Sequence, residues 1–109
     1  MKRIYVAGPY TKGDVVLNVR AAVFAADRLA QAGHAPFIPH LNHLWHLLCP
    51  HDWDFWCEQD LHWLEVCDCV LRLPGESVGA DLEVQRAQEL GIPVYWSVAE
   101  ALREVTQRW

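Results

Sequence analysis

The sequence lacks any long apolar run, since no stretch approaches the roughly 18 residues that a membrane-spanning helix needs. Its basic start is followed by only four apolar or aromatic residues before Gly8, too few for the core of a signal peptide. We therefore expect no membrane association and a cytoplasmic location. Positive charge is also scarce, and the net charge of -5 disfavours a broad nucleic-acid-binding surface. A local pocket could still bind a small anion.

The sequence also lacks the signatures of metal and redox proteins. Its four cysteines form no CxxC pair, so the zinc-ribbon and thioredoxin-like classes lose their main motif. Cys67 and Cys69 lie two apart in a predicted strand and are expected to point into the core from one face. His40, His43 and His46 are spaced by three, about 300° on a helix, so we predict no metal site. One or two of these histidines are expected to border a pocket.

The remaining pattern predicts one α/β domain over residues 1–109, with 52% hydrophobic and 21% charged residues. Strands are predicted at Arg3–Ala7, 35–39, 68–73 and 92–96. Helices are predicted over about 14–32, 52–66, 79–90 and 97–108, with an irregular segment or a short helix at 40–51. This alternation predicts a small flavodoxin-like, doubly wound parallel sheet of about four strands in the order 2-1-3-4, with helices on both faces.

The strand order also predicts where a ligand would bind. In doubly wound sheets, ligands bind at the carboxyl ends of the strands where the order reverses. That point lies between the loop after the first strand, residues 8–13, and the loop after the third, residues 74–79. The first loop has neither a Walker motif nor GxGxxG, but it is bounded by glycines and carries Lys12. It could hold a ribose or a phosphate.

Two carboxylates interrupt apolar helical stripes. Glu83 shares its stripe with three apolar residues, and Asp60 falls within the apolar stripe of residues 53–67. Such a carboxylate is costly unless it is paired or functional. Glu83 could instead reach solvent at the edge of its stripe, and Asp60 could be a satisfied buried acid.

The alternative that joins the two carboxylates is a pair with divided roles, one protonated near neutral pH and one ionised. The nearby helix N-terminus favours the anionic form of Glu83. Asp81 points about 200° away from Glu83 and is expected to be a partner of the helix dipole. A buried Tyr5 hydroxyl would need a partner, which a carboxylate at the centre of the sheet could provide.

Three segments, in this order, resemble the nucleoside 2-deoxyribosyltransferase superfamily, which includes the 2′-deoxynucleoside 5′-monophosphate N-hydrolases. They are residues 4–10 (IYVAGPY), residues 60–68 (DL-x-WL-x-x-CD) and residues 76–83 (ES-x-GAD-x-E). The resemblance covers most of the chain. It implies an enzyme that cleaves N-glycosidic bonds without a cofactor or a metal. The implied partners are a nucleoside or nucleotide, a free base and further copies of the chain, as a homodimer or a higher homo-oligomer, and not a nucleic acid polymer.

The resemblance also implies residue roles. Glu83 matches the nucleophile that forms a glycosyl-enzyme ester with deoxyribose, Asp60 the acid that protonates the departing base, and Tyr5 the residue that orients the nucleophile. The predicted substrate-binding residues are Gly8, Pro9, Tyr10, Lys12, His40, Trp56, Ser77 and Gly79.

The substrate stays open at this point. Ser77 stands six residues before Glu83, where many relatives have an acidic residue and the monophosphate hydrolases have a phosphate-binding serine. The first loop has no arginine for a phosphate, although Thr11 and Lys12 could replace it. We expect a deoxyribosyltransferase, with the monophosphate hydrolase as the alternative. A non-catalytic nucleotide-binding module and a purely structural or metal protein are further alternatives.

Overall fold

The computed structural model describes residues 1–107 and has the predicted α/β architecture. Its four strands are parallel and stand in the spatial order β2-β1-β3-β4, which confirms the predicted order. The strands are β1 (Arg3–Ala7), β2 (Ala35–Phe37), β3 (Cys69–Arg72) and β4 (Val94–Tyr95). The edge strands β2 and β4 are shorter than predicted; β4 begins after Pro93, which has no N–H to donate.

Helices connect the strands and continue the chain after β4. They are α1 (Val15–Gln31), a 3-10 turn (Pro39–Leu41), α2 (Asn42–Leu48), α3 (Trp53–Leu64), α4 (Val78–Glu89) and α5 (Val98–Gln107). Asp14, Asp52 and Ser77 cap the N-termini of α1, α3 and α4 with their side chains. The predicted end of the last helix at Arg108 lies outside the described residues. Among the helices of residues 1–107, none has the length and hydropathy of a membrane span.

The sheet divides the core into two layers because successive strand residues point to opposite faces. Ile4, Val6 and Leu71 pack on one face, against alanines and Leu29 of α1 and residues of α5. Tyr5 and Val70 pack on the other, against α3 and α4.

The expectation that Cys67 and Cys69 share a face is wrong. Cys69 belongs to the first layer and Cys67 to the second, because Cys67 precedes β3 and lies in the turn after α3.

The loops after β1 and β3 contact each other at the carboxyl edge of the sheet. The N–H of Leu73 donates to the carbonyl of Ala7 at 2.8 Å, which extends the pairing of these strands. Gly75 has a φ of 114°, and a Cβ there would lie 2.8 Å from Cγ of Pro9. Only glycine therefore fits both the backbone conformation and the close approach of the two loops.

We predict that Gly75→Ala destabilises the fold more than Gly91→Ala does. Both glycines have positive φ, but a Cβ at Gly91 would meet nothing within 4 Å. The control should lower the free energy of unfolding by about 1 kcal/mol and Gly75→Ala by about 3 kcal/mol, because only the latter adds a clash with Pro9. Urea denaturation measures both values. Equal losses of unfolding free energy in the two variants would show that the contact between Gly75 and Pro9 adds no steric cost.

Candidate active site

A cavity of about 760 Å³ opens at the carboxyl ends of β1 and β3, where the strand order reverses. Its size lies within the range of clefts that hold small molecules, about 300–1,000 Å³. The β1–α1 loop and the first turns of α4 form one side, and α2 and α3 form the other. The predicted position of the site thus coincides with a cavity. Its lining includes Gly8, Tyr10, Lys12, His40, Trp56, Asp60, Ser77, Gly79 and Glu83.

Glu83 lies on the inner wall of this cavity and accepts a hydrogen bond from the Tyr5 hydroxyl through Oε2. Tyr5 is fully buried in the central strand β1, so its hydroxyl needs this partner. Its ring stacks on Phe37 with a centroid distance of 5.6 Å, and Phe37 stacks on Trp63 at 5.5 Å. This aromatic stack fixes the tyrosine, and the tyrosine in turn positions one oxygen of the carboxylate.

Asp60 lies on α3, on the wall opposite α4, and is partly buried. The amide of Asn42 donates to its Oδ1 at 3.5 Å, the upper limit of a hydrogen bond. Asn42 opens α2, so this weak contact joins the two helices that form the outer wall. No residue pattern in the sequence identifies Asn42 as part of the site.

Burial raises the pKa values of both acids. It raises the pKa of Asp60 to about 7. Burial also raises the pKa of Glu83 to about 8, with a further rise from Asp60, while the Tyr5 hydrogen bond and the charge of Arg72 act in the opposite direction. Burial and both carboxylates raise the pKa of Tyr5, so the hydroxyl stays protonated and donates. The pair therefore carries shared protons near neutral pH.

The expected effect of the helix N-terminus on Glu83 is outweighed by burial. Glu83 lies in the second turn of α4, whereas the influence of the dipole falls off within the first. The first turn contains Asp81, which also pairs with Arg72.

Four histidines line the cavity, more than the one or two that the sequence led us to expect. His40 is buried, and its Nε2–H donates to the carbonyl of Pro9 at 2.9 Å. His43 bonds the Tyr10 hydroxyl through Nδ1. His40 lies in the 3-10 turn Pro39–Leu41, whereas His43 and His46 lie in α2, and the turn and the helix together bring all three to the cavity. No group of three potential ligands within residues 1–107 is arranged to hold a metal ion.

His46 and Trp56 form a hydrogen-bonded pair on the outer wall. The indole Nε1–H of Trp56 and the backbone N–H of His51 donate to Nδ1 of His46 at 2.9 and 3.3 Å. Since both partners can only donate, Nδ1 is unprotonated and the proton of the neutral ring is on Nε2. His51 also stacks on Phe55, with ring centroids 3.8 Å apart. The result is an aromatic wall suited to a flat ring.

Pro9 and Lys12 are the predicted binding residues whose place at the cavity is least supported. Pro9 is absent from the lining formed by residues 1–107, and its carbonyl instead holds His40. Nζ of Lys12 pairs with a Glu76 oxygen at 3.5 Å, and both side chains are largely exposed. Contact of either residue with a ligand remains a prediction.

Arg72 is a residue that the sequence analysis missed. It ends β3, its side chain is only 7% exposed, and its Nη2 lies 3.0 Å from Oδ1 of Asp81. A charged residue inside the otherwise apolar run at 69–73 is the same kind of signal that identified Glu83. It was overlooked because arginine at a strand end so often reaches solvent.

Comparisons with known proteins agree with this fold. A 2-deoxyribosyltransferase from the psychrotolerant bacterium Bacillus psychrosaccharolyticus superposes with a TM-score of 0.61 at 24% identity, over 84% of this chain and 69% of that one. A conserved protein from Enterococcus faecalis V583 superposes with a TM-score of 0.70 at 20% identity, over 86% of this chain and 61% of that one. The chain thus has a nucleoside 2-deoxyribosyltransferase-like fold.

The family itself is defined by sequence. Residues 2–97 match the model of DUF7768, a domain of unknown function, and the chain belongs to that family. No curated protein matches the chain.

We predict that Glu83→Gln and Asp60→Asn stabilise the fold at pH 8. Both acids have raised pKa values in the folded protein, so the folded state binds protons more tightly than the unfolded state. The free energy of unfolding therefore falls as pH rises from about 4 towards 8 for Glu83 and towards 7 for Asp60. Neutral replacements remove this loss. A gain of about 1 kcal/mol corresponds to a rise in Tm of about 4–8 °C.

Thermal unfolding at pH 5 and pH 8 measures this effect. The control is Glu89→Gln, an exposed carboxylate on the same helix. A gain that does not grow between the two pH values, or one that the control reproduces, would contradict burial as the cause.

Proposed function

We propose that this protein cleaves the N-glycosidic bond of 2′-deoxynucleosides and transfers the deoxyribosyl group to another base. The observation that carries the proposal is the arrangement of Tyr5, Glu83 and Asp60 at one cavity. A positioned carboxylate and a second acid with a near-neutral pKa are the two groups that retaining glycosyl transfer requires. The likeness in fold to a 2-deoxyribosyltransferase supports the same assignment.

In the first step a carboxylate oxygen of Glu83 attacks C1′ of the deoxyribose. The bond from C1′ to the base nitrogen breaks, its electron pair leaves with the base, and Asp60 donates a proton to the base. A glycosyl ester of Glu83 and a free base result. Positive charge develops on the sugar in the transition state, and the adjacent carboxylate stabilises it.

In the second step the nitrogen of an incoming base attacks C1′. Asp60 accepts the proton of that nitrogen, the ester bond breaks, and Glu83 is released as a carboxylate. Water in place of the base gives hydrolysis. The reactive form has the proton on Asp60 and the charge on Glu83. Tyr5 and Arg72 favour the charge on Glu83, but burial keeps its pKa at about 8, above the value of about 7 at Asp60, so this form is the minor one. The aromatic wall around Trp56 and His46 offers a surface for the base.

We predict that Glu83→Ala lowers turnover by about 10³-fold or more, since no nucleophile remains. Purified protein is incubated with deoxyinosine and free adenine, and the products are read by liquid chromatography–mass spectrometry. The wild type should form deoxyadenosine and hypoxanthine. Glu89→Gln, which changes an exposed carboxylate on the same helix, should behave as the wild type.

Two outcomes would overturn the proposal. A near-normal rate for Glu83→Ala would remove the covalent step. Tight nucleoside binding by wild type and Glu83→Gln, with no turnover by either, would indicate a binding module without catalysis.

A second candidate is hydrolysis of 2′-deoxynucleoside 5′-monophosphates. It is favoured by Ser77, whose Oγ accepts the N–H of Ala80 at 3.1 Å while its hydroxyl hydrogen remains able to donate into the cavity. A Cβ at the neighbouring Gly79 would meet no protein atom within 4 Å, so this turn of α4 leaves room for a ligand. Against a phosphate stand Glu76, next to Ser77, and the pairing of Lys12 with that carboxylate.

Ser77→Asp separates the two substrates. Aspartate caps a helix as well as serine does, so stability should hold, whereas Ser77→Ala should lose about 1 kcal/mol. If the 5′-phosphate lies at this turn, Ser77→Asp lowers kcat/KM for deoxyinosine 5′-monophosphate at least tenfold more than for deoxyinosine. An equal change for both substrates would place the phosphate elsewhere. Hypoxanthine with deoxyribose 5-phosphate, and no new nucleoside, identifies the hydrolase.

A further inference from the structure

Arg72 is a buried cation in the sheet that takes no direct part in the bond-making steps. It ends β3, pairs with Ala7 of β1, and follows Val70 by two residues, which places it on the sheet face that Tyr5 and α4 share. Burial of a guanidinium is costly unless its charge and its donors are used. An apolar residue at this position would extend the core, so the arginine needs an explanation.

The guanidinium holds the loop between β3 and α4. Its Nη1 donates to the carbonyl of Leu73, and its Nη2 donates to the carbonyl of Gly75 and to Oδ1 of Asp81, both at 3.0 Å. This loop carries Ser77 and leads into the helix that presents Glu83. The contacts fix the start of α4 relative to the sheet.

The charge of Arg72 is only partly neutralised. The Asp81 side chain is 71% exposed, and water screens such a pair. The two carbonyls are dipoles and do not cancel a full charge. A net positive field is therefore left on the side of the sheet where Glu83 lies.

Glu83 has few ionisable neighbours, and Arg72 carries the one positive charge among those that residues 1–107 place around it. Within residues 1–107, the groups that bear on it are Tyr5 of β1, Asp60 and Cys57 of α3 and Arg72 of β3. On its own helix, Asp81 pairs with Arg72.

We propose that Arg72 is a positioning residue that orders the β3–α4 loop and supplies the counter-charge for the Glu83 carboxylate, with Asp81 competing for that charge. The inference deepens the proposed function and rests on the role of Glu83 as nucleophile. In this proposal Asp81 lowers the positive charge that Arg72 offers to Glu83, in addition to its expected role as a partner of the helix dipole.

Two substitutions test the charge. Arg72→Gln removes the cation, so the Glu83 carboxyl should titrate about one unit higher and kcat/KM at pH 6 should fall about tenfold. Asp81→Asn leaves the arginine less neutralised, so the acid limb of the kcat/KM profile should move to lower pH. If Arg72 acted only by ordering the loop, both substitutions would shift the acid limb of the kcat/KM profile in the same direction, because both remove the same ion pair.

Direct titration of Glu83 makes the test independent of turnover. Carbon-13 NMR of carboxyl-labelled glutamate follows the group in the intact protein, with Glu83→Gln to assign its signal. Opposite shifts in the two variants support the inference even if no deoxynucleoside is cleaved, in which case only the proposed function fails. Turnover without opposite shifts overturns the inference and leaves the function standing.

Arg72→Lys keeps the charge but loses the planar fork of donors. It should restore the titration of Glu83 to near the wild-type position while KM stays raised, because the loop is less ordered. A lysine variant that titrates like Arg72→Gln would overturn the inference. If Arg72→Gln does not fold, Asp81→Asn and Arg72→Lys still distinguish an effect of the Arg72 charge on Glu83 from an effect of its contacts with the loop.

Discussion

The hydrogen bond between Tyr5 and Glu83 is the constraint on which the site depends. A tyrosine hydroxyl buried in the central strand loses its water, and a carboxylate on the inner stripe of α4 does as well, so each would be costly alone. Pairing them fixes the position of α4 over the end of β1. The first turn of α4 then stands beside the β1–α1 loop, and the space between them is the cavity.

The same burial acts on both acids of the site. It raises the pKa values of both Asp60 and Glu83, but Tyr5 and Arg72 oppose the rise only at Glu83. Asp60 has one weak contact from Asn42. Tyr5 and Arg72 therefore offset part of the effect of burial at Glu83, although its pKa of about 8 stays above the value of about 7 at Asp60.

The sequence predicts the fold and the pair of acids, Glu83 and Asp60, for one reason. Apolar residues recur so regularly along the helices and strands that a charged residue within the pattern is easily recognised. Glu83 and Asp60 stood out because apolar residues surround them at helical spacing. Arg72 is an equal exception but lies at a strand end, where a polar residue is ordinary. Cys67 was assigned to the wrong face because strand alternation was extended to it, although it lies in the turn after α3 and β3 begins only at Cys69. The four histidines at the cavity come from a 3-10 turn, from α2 and from the segment after α2, and no residue pattern predicted that these elements meet there.

The charge of the cavity bears on the choice between nucleoside and monophosphate. Three carboxyl groups, those of Glu83, Asp60 and Glu76, face one lysine that already pairs with Glu76. A phosphate dianion would have to displace that pairing and lie near a carboxylate, with the α4 amides and the Ser77 hydroxyl as compensation. A neutral nucleoside requires neither change. In the proposed reaction its base would lie against the aromatic wall near Asp60, and its sugar would lie against Glu83. The electrostatics thus favour the uncharged substrate, although Ser77 would suit the charged one.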